Sequence, residues 1–349
     1  MVKADSFEFL DEEVAPGTRK IFNLAIGGLY TQKDISVPIA VVHGKVPGPR
    51  LLVCAAIHGD ELNGIEIVRR VLHSSWLNNV RGTLIAVPVV NVLGCIQRTR
   101  YLPDRRDLNR CFPGSEDGSL AGRIAHIFNT KVLQSATHAI DLHTGAIDRS
   151  NLPQIRVHLA SPKAEEMAHA FGAPVIVNAP IRDGSLRGTG EDLGIPIITY
   201  EAGEALRYEE QSIAGGVRGV RRVMESLGML AMRKRGRKIV KPVVARSSAW
   251  IRAPESGFLT LYCSLGDRIR ADETIGMICG PLDDEGVLIK APHSGVVIGR
   301  TNLPLAYEGE AVYHIARFDK VTEAVEVVGE FQTHMQERSA EQFTPIQNA

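Results

Sequence analysis

The sequence predicts an α/β protein, with a mixed, largely parallel sheet flanked by helices and a smaller all-β unit after it. Three observations predict it. Apolar runs of strand length alternate with amphipathic stretches of helix length through the first two thirds of the chain. His58, His143 and Glu201 each follow such a run, which places them at the carboxyl ends of strands, where open α/β sheets collect their chemistry. Beyond the basic run Arg233-Lys234-Arg235-Gly236-Arg237-Lys238 the texture changes to short strands and turns.

In chain order, residues 1–20 read as a polar, irregular lead-in. Lys20–Ile26 and Ile35–Val42 alternate or run apolar and read as strands of a sheet edge, with Gly44–Pro49 as the turn that follows. Leu51–Cys54 is a buried strand, and Asp60–Arg70 has helical spacing. Gly82–Val90 is a further strand, leading through Asn91 into a long polar segment that ends at Gly114. Residues 119–136 read as helix and 137–143 as the strand that carries His143. The alternation continues with strand Gln154–Leu159, helix Pro162–Phe171, strand Val175–Val177, a Gly-rich corner at 184–194, strand Ile195–Tyr200 and a last helix, Ser212–Leu227. This gives N-terminal strands at 1–46 contributing to a catalytic domain at 47–232, a basic linker at 233–242, a β-rich domain at 243–330 and a polar tail at 331–349.

Acidic and basic residues balance at 40 each, so no global field points to nucleic acid or an anionic membrane surface, and the basic run reads as a solvated linker. Five scattered cysteines without C-x-x-C spacing suit reduced thiols better than a disulfide framework. The N-terminus lacks a signal-peptide apolar core and no apolar run is long enough to span a bilayer. A cytoplasmic protein is the expectation.

The β-rich region contains an internal repeat, Ala253-Pro254-Glu255-Ser256-Gly257-Phe258-Leu259 against Ala291-Pro292-His293-Ser294-Gly295-Val296-Val297. Two such units folded over each other make a small closed β-module that resembles the biotinyl/lipoyl-type barrel-sandwich fold. Those modules present a lysine at the turn between halves. Here the turn reads Gly280-Pro281-Leu282-Asp283-Asp284-Glu285-Gly286, so no covalent cofactor is expected. The module is expected instead to cap the catalytic domain or to form an interface between copies of the chain.

The chemistry begins at His58-Gly59-Asp60-Glu61. A histidine and a glutamate three residues apart at a strand-to-helix corner converge on one point. His143, ending a second strand, supplies a third ligand. His/Glu/His with one position left open is the set zinc hydrolases use to make a bound water acidic near neutrality. Either histidine alone would read as an ordinary hydrogen-bonded side chain at a strand end. His73, His126, His138, His158 and His169 lack such partners.

These residues, with Thr99-Arg100-Tyr101, Asp107-Leu108-Asn109-Arg110, Phe112-Pro113-Gly114 and Asp141-Leu142-His143, resemble the succinylglutamate desuccinylase/aspartoacylase family, which belongs with the zinc carboxypeptidases. The likeness runs from about residue 50 to about residue 230, and the tail resembles that family's β-rich C-terminal domain. The resemblance implies one zinc per chain on His58, Glu61 and His143, and Glu201 as the catalytic base, with Glu204 as its rival. It also implies Arg100 at the developing oxyanion, Asn109 and Arg110 on a substrate carboxylate, and Asp107 behind His58. Arg98, Arg105 and Arg106 are alternatives to Arg100. The implied activity is removal of the acyl group from a small N-acyl amino acid. The alternatives are a carboxypeptidase acting on peptides, separated by how buried Arg110 is, and a non-catalytic binding protein.

Overall fold

The structure, a computed structural model, describes residues 3–28, 30–232, 241–283 and 285–342, with side chains described as far as Met335. The basic run at 233–238 and Asp284 of the expected turn lie outside the described residues. Ten strands form the main path of a thirteen-stranded sheet: β1 (Thr18–Gly28), β2 (Asp34–His43), β3 (Val46–Ala55), β4 (Arg81–Val87), β5 (His138–Gly145), β6 (Arg149–Val157), β7 (Ile197–Glu204), β8 (Ser247–Arg252), β9 (Gly295–Thr301) and β10 (Ala311–Arg317). Their spatial order is β8-β10-β9-β6-β7-β5-β3-β4-β2-β1. The four central strands β7, β5, β3 and β4 are parallel, and both flanks are antiparallel.

The parallel centre follows from composition. Leu51, Val53 and Ala55 of β3 pack on one face and Leu52 and Cys54 on the other, so a strand buried on both faces reads as a continuous apolar run. Helices α1 (Leu62–Leu72), α4 (Pro162–Phe171) and α6 (Glu210–Ser226) cover the first face through Ile67, Val68, Met167, Phe171, Ile213 and Val220. Helices α2 (Val92–Gln97) and α3 (Leu120–Lys131) lie on the other, where α3 inserts Ala121, Ile124 and Phe128. Together they leave the carboxyl ends of β3, β5 and β7 open toward one cavity.

The β-rich region is continuous with this sheet. Strand β9 pairs antiparallel with β6, which joins the C-terminal strands directly to the catalytic ones. A four-stranded sheet of Gly257–Leu261, Thr274–Cys279, Val287–Lys290 and Leu305–Ala306 forms the second layer. It packs on β8, β9 and β10 through Leu259, Ile278, Ile251, Val297 and Ile315. The two copies of the sequence repeat therefore end in different layers.

Several elements differ from the sequence reading. The lead-in contains a hairpin, Phe7–Phe9 with Glu12–Val14, because Phe9 and Val14 are buried against the sheet edge. Val46–Pro49 is already strand, and α1 begins at Leu62, so Asp60 and Glu61 stand in the turn before it. The Gly-rich corner holds a short helix, α5 (Leu186–Asp192), whose start is capped by the Ser185 hydroxyl on Gly188 N–H. Beyond residue 320 a helix, α7 (Val321–Gln342), crosses the position where the sequence turns polar, since Ala324, Val328, Phe331 and Met335 fall on one buried stripe. No helix among the described residues is long and apolar enough to cross a membrane.

Candidate active site

The turn after β3 carries His58 and Glu61, and the end of β5 carries His143. Gly59 lets this turn pass against α2, because a Cβ there would lie 2.0 Å from the Gly94 carbonyl carbon. His58 Nδ1 stands 2.7 Å from one Glu61 oxygen, and His143 Nδ1 2.7 Å from the other. The two Nδ1 atoms are 3.2 Å apart. His58, Glu61 and His143 are 4%, 1% and 4% exposed.

The outward nitrogens explain why the Nδ1 atoms converge. His58 Nε2 donates to Asp107 Oδ1 at 3.1 Å, and His143 Nε2 donates to Asp141 Oδ2 at 2.7 Å. Each carboxylate fixes the tautomer that leaves a lone pair on Nδ1, aimed at the shared point. Burial works to raise the Glu61 pKa, but the two imidazoles outweigh it and hold its carboxyl below the usual range. Burial works to lower the pKa of His58, and Glu61 and Asp107 outweigh it. His143 is raised well above its ordinary value, Asp141 and Glu61 overcoming burial.

The donor chemistry fits a divalent cation. Glu61, Asp107 and Asp141 oppose the single guanidinium of Arg100, and a divalent cation would take the place of the protons that these carboxylates favour on the two imidazoles. Among the described residues these three donors form a buried group that can hold a metal ion.

Arg100 lies against this group, donating to Asp107 Oδ2 at 2.9 and 3.2 Å and to Glu61 Oε1 at 3.4 Å. It lines the cavity, whereas Arg98, Arg105 and Arg106 do not. Asn109 N–H donates to Asp107, and Asn109 Oδ1 accepts from Leu186 N–H at 2.9 Å, which leaves its NH2 to offer a ligand. Arg110 is exposed at the rim, and its guanidinium donates to the Asn109 carbonyl at 2.5 Å.

Glu201 and Glu204 are separated by their surroundings. Strand β7 continues to Glu204 rather than ending before Glu201, with a register irregularity between them. Glu201 lines the cavity. Glu204 does not, being held by Asp148 N–H, Asn302 Nδ2 and Arg207 Nε at 3.1, 2.9 and 3.2 Å.

The cavity measures 410 Å³ and brings together His58, Glu61, His143, Arg100, Asn109, Arg110 and Glu201. The succinylglutamate desuccinylase/aspartoacylase catalytic domain matches residues 47–227. The chain belongs to that family. It is 27% identical to an N-alpha-acetyl-L-2,4-diaminobutyric acid deacetylase from Halomonas elongata over 70% of this chain and 74% of the relative. A succinylglutamate desuccinylase/aspartoacylase structure from Rhodobacter sphaeroides superposes with a TM-score of 0.77 at 25% identity, covering 86% of this chain and 96% of that one. The product-bound ectoine utilization protein of Ruegeria pomeroyi shares the fold, with a TM-score of 0.77 at 24% identity over 85% and 95% of the two chains.

Within this family site, the residues that line the cavity and that the sequence reading missed include Arg149, Asn151, Arg156, Arg182, Arg187 and Trp250. They come from segments read only as strand, corner or tail, so nothing local marked them. Asp141 was quoted only within the Asp141-Leu142-His143 match, and its role behind His143 was missed, although residues two apart on a strand share a face and could have signalled it.

Purified protein is expected to carry about one zinc per chain, and His143→Ala to lose most of it, since His58 and Glu61 alone hold zinc poorly against water. Metal analysis after gel filtration checks this. Full occupancy in His143→Ala would place the ion elsewhere.

Proposed function

We propose that the protein is a zinc-dependent deacylase that removes the acyl group from a small, acidic N-acyl amino acid. The observation that carries this reading is a cavity in which a buried His/Glu/His donor set faces a cavity-lining carboxylate and a group of guanidiniums. His58, Glu61 and His143 would hold the ion, which supplies Lewis-acid chemistry, acidifying a water and polarising the amide carbonyl. Glu201 takes the proton of the attacking water and returns it to the leaving nitrogen. Arg100, held rigid by Asp107, faces the oxygen on which negative charge develops. Asn109 and Arg110 hold the substrate carboxylate, for which a guanidinium fork is suited.

The preference for an acidic substrate comes from uncompensated charge. Arg187 is half-buried, and among the described residues its guanidinium donates to the Ala179 and Pro180 carbonyls, at 3.1 and 2.9 Å. Burial, with Arg156 and Arg182 nearby, pushes its pKa down to about 10. Arg182 is lowered by burial and by Arg110 and Arg156. Guanidiniums that depress one another favour an anion between them. The diaminobutyric acid in the Halomonas relative's name carries a second amine, a cation at neutral pH, which this cavity would repel. Arg110 is not buried. Its exposure at the rim favours the carboxypeptidase alternative, while the bulk of Trp250 in the cavity lining favours small substrates.

A panel of N-acetyl, N-succinyl and N-formyl amino acids with short peptides, read as released amine, tests the reading. Acidic N-acyl amino acids are expected to be best, and peptides cleaved faster would establish the alternative. Glu201→Gln should keep its metal and lose turnover by about 10²–10⁴-fold, whereas Glu204→Gln should stay active. The reverse pattern would exchange their roles. Arg110→Lys should lose roughly 30- to 1,000-fold in kcat/KM on a free carboxylate and little on the corresponding amide. Equal hydrolysis of acid and amide by the wild type would remove Arg110 as the anchor.

A further inference from the structure

The C-terminal strands reach the catalytic glutamate through one row of residues across the sheet. Trp250 of β8 pairs with His314 of β10, His314 with Gly299 of β9, Gly299 with Asn151 of β6, and Asn151 with Gly203 of β7. The Trp250 and His314 rings stack at 4.5 Å and 8°. At the far end Asn151 Nδ2 donates to Glu201 Oε2 at 2.9 Å, while Arg156 Nε stands 3.5 Å from the other oxygen. The irregularity between Glu201 and Gly203 makes this possible, since Asn151 pairs with Gly203 yet its amide meets the Glu201 carboxylate.

Gly299 is the hinge of the row. A Cβ there would lie 3.0 Å from Asn151 Oδ1 and 3.1 Å from His314 Cβ. The Asn151 side-chain oxygen therefore faces a bare backbone, where an added Cβ would press on it. The amide's orientation is fixed by chemistry, because a carboxylate only accepts and so must meet the NH2 end. Asn151 is 7% exposed, which leaves its amide little room to swing away.

We propose that Asn151 is the positioning residue of Glu201, and that Gly299 sets Asn151, so that the β-rich C-terminal unit takes part in turnover. This rests on Glu201 being the base. A base delivers its rate only when held close to the productive geometry, and glutamate has enough rotatable bonds to leave it. Asn151 and Arg156, both from β6, tether the two oxygens separately.

The full-length, metal-loaded protein and its best N-acyl amino acid test this. Asn151→Asp keeps the size, removes the donor and turns a second carboxylate toward Glu201. It should lower kcat by about 10- to 100-fold and leave KM and metal content unchanged. Gly299→Ala should lower kcat in the same way. In a Glu201→Gln background Asn151→Asp should add nothing further, because both act through one group. Unchanged kcat in Asn151→Asp, or a loss that persists undiminished in that background, would overturn the proposal while leaving Glu201 as the base. Wild-type turnover in Glu201→Gln would overturn the base assignment and this proposal with it. A crystal structure of Gly299→Ala decides without turnover. Asn151 drawn out of hydrogen-bond reach of Glu201 supports the coupling, and an unmoved 2.9 Å contact overturns it.

Discussion

Glu61 carries a carboxylate into the core with 1% of its surface exposed, a placement that is strongly unfavourable unless the charge is matched closely. It is matched by His58 and His143 at 2.7 Å, by Thr144 N–H at 3.2 Å and by Arg100 at 3.4 Å. Those partners come from the turn after β3, the end of β5 and the polar segment beyond α2. Each partner is held in turn, His58 and Arg100 by Asp107 and His143 by Asp141. The parallel order of β3, β5 and β7 brings these segments to one end of the sheet, so the fold and the charge network specify the same place.

The parts of this arrangement that were legible in the sequence are those carried by local spacing. His58 and Glu61 sit three apart, and the apolar runs before His58 and His143 announce buried strands. Parallel strands are buried on both faces, so the second half of β3 stands out by composition alone. The N-terminal hairpin was missed because its strands are only three residues each and carry acidic residues beside the buried Phe9 and Val14. Helix α5 was missed because its glycines disguise a capped turn. What Glu204 does was not legible either, because Asn302, one of the groups that hold it, lies 98 residues away in sequence.

The same limit explains the cavity's arginines and Trp250. Arg156, Arg182 and Arg187 look like surface charges in one dimension, and burial in the folded chain, with their mutual proximity, depresses Arg182 and Arg187. The β-rich region reads as a separate module because its texture differs, yet backbone pairing between β9 and β6 makes it an extension of the catalytic sheet. A side chain delivered from there, such as Trp250, reaches the cavity with the rigidity of a strand rather than the freedom of a loop.

The site depends on Glu61 and the two Nδ1 atoms converging on a metal ion. Anomalous diffraction at the zinc edge, from crystals of the zinc-loaded protein, would locate that ion. One strong peak is expected about 2.0–2.2 Å from His58 Nδ1, His143 Nδ1 and a Glu61 oxygen, inside the cavity shared with Glu201. Ligation through either Nε2, or a peak away from these residues, would contradict it.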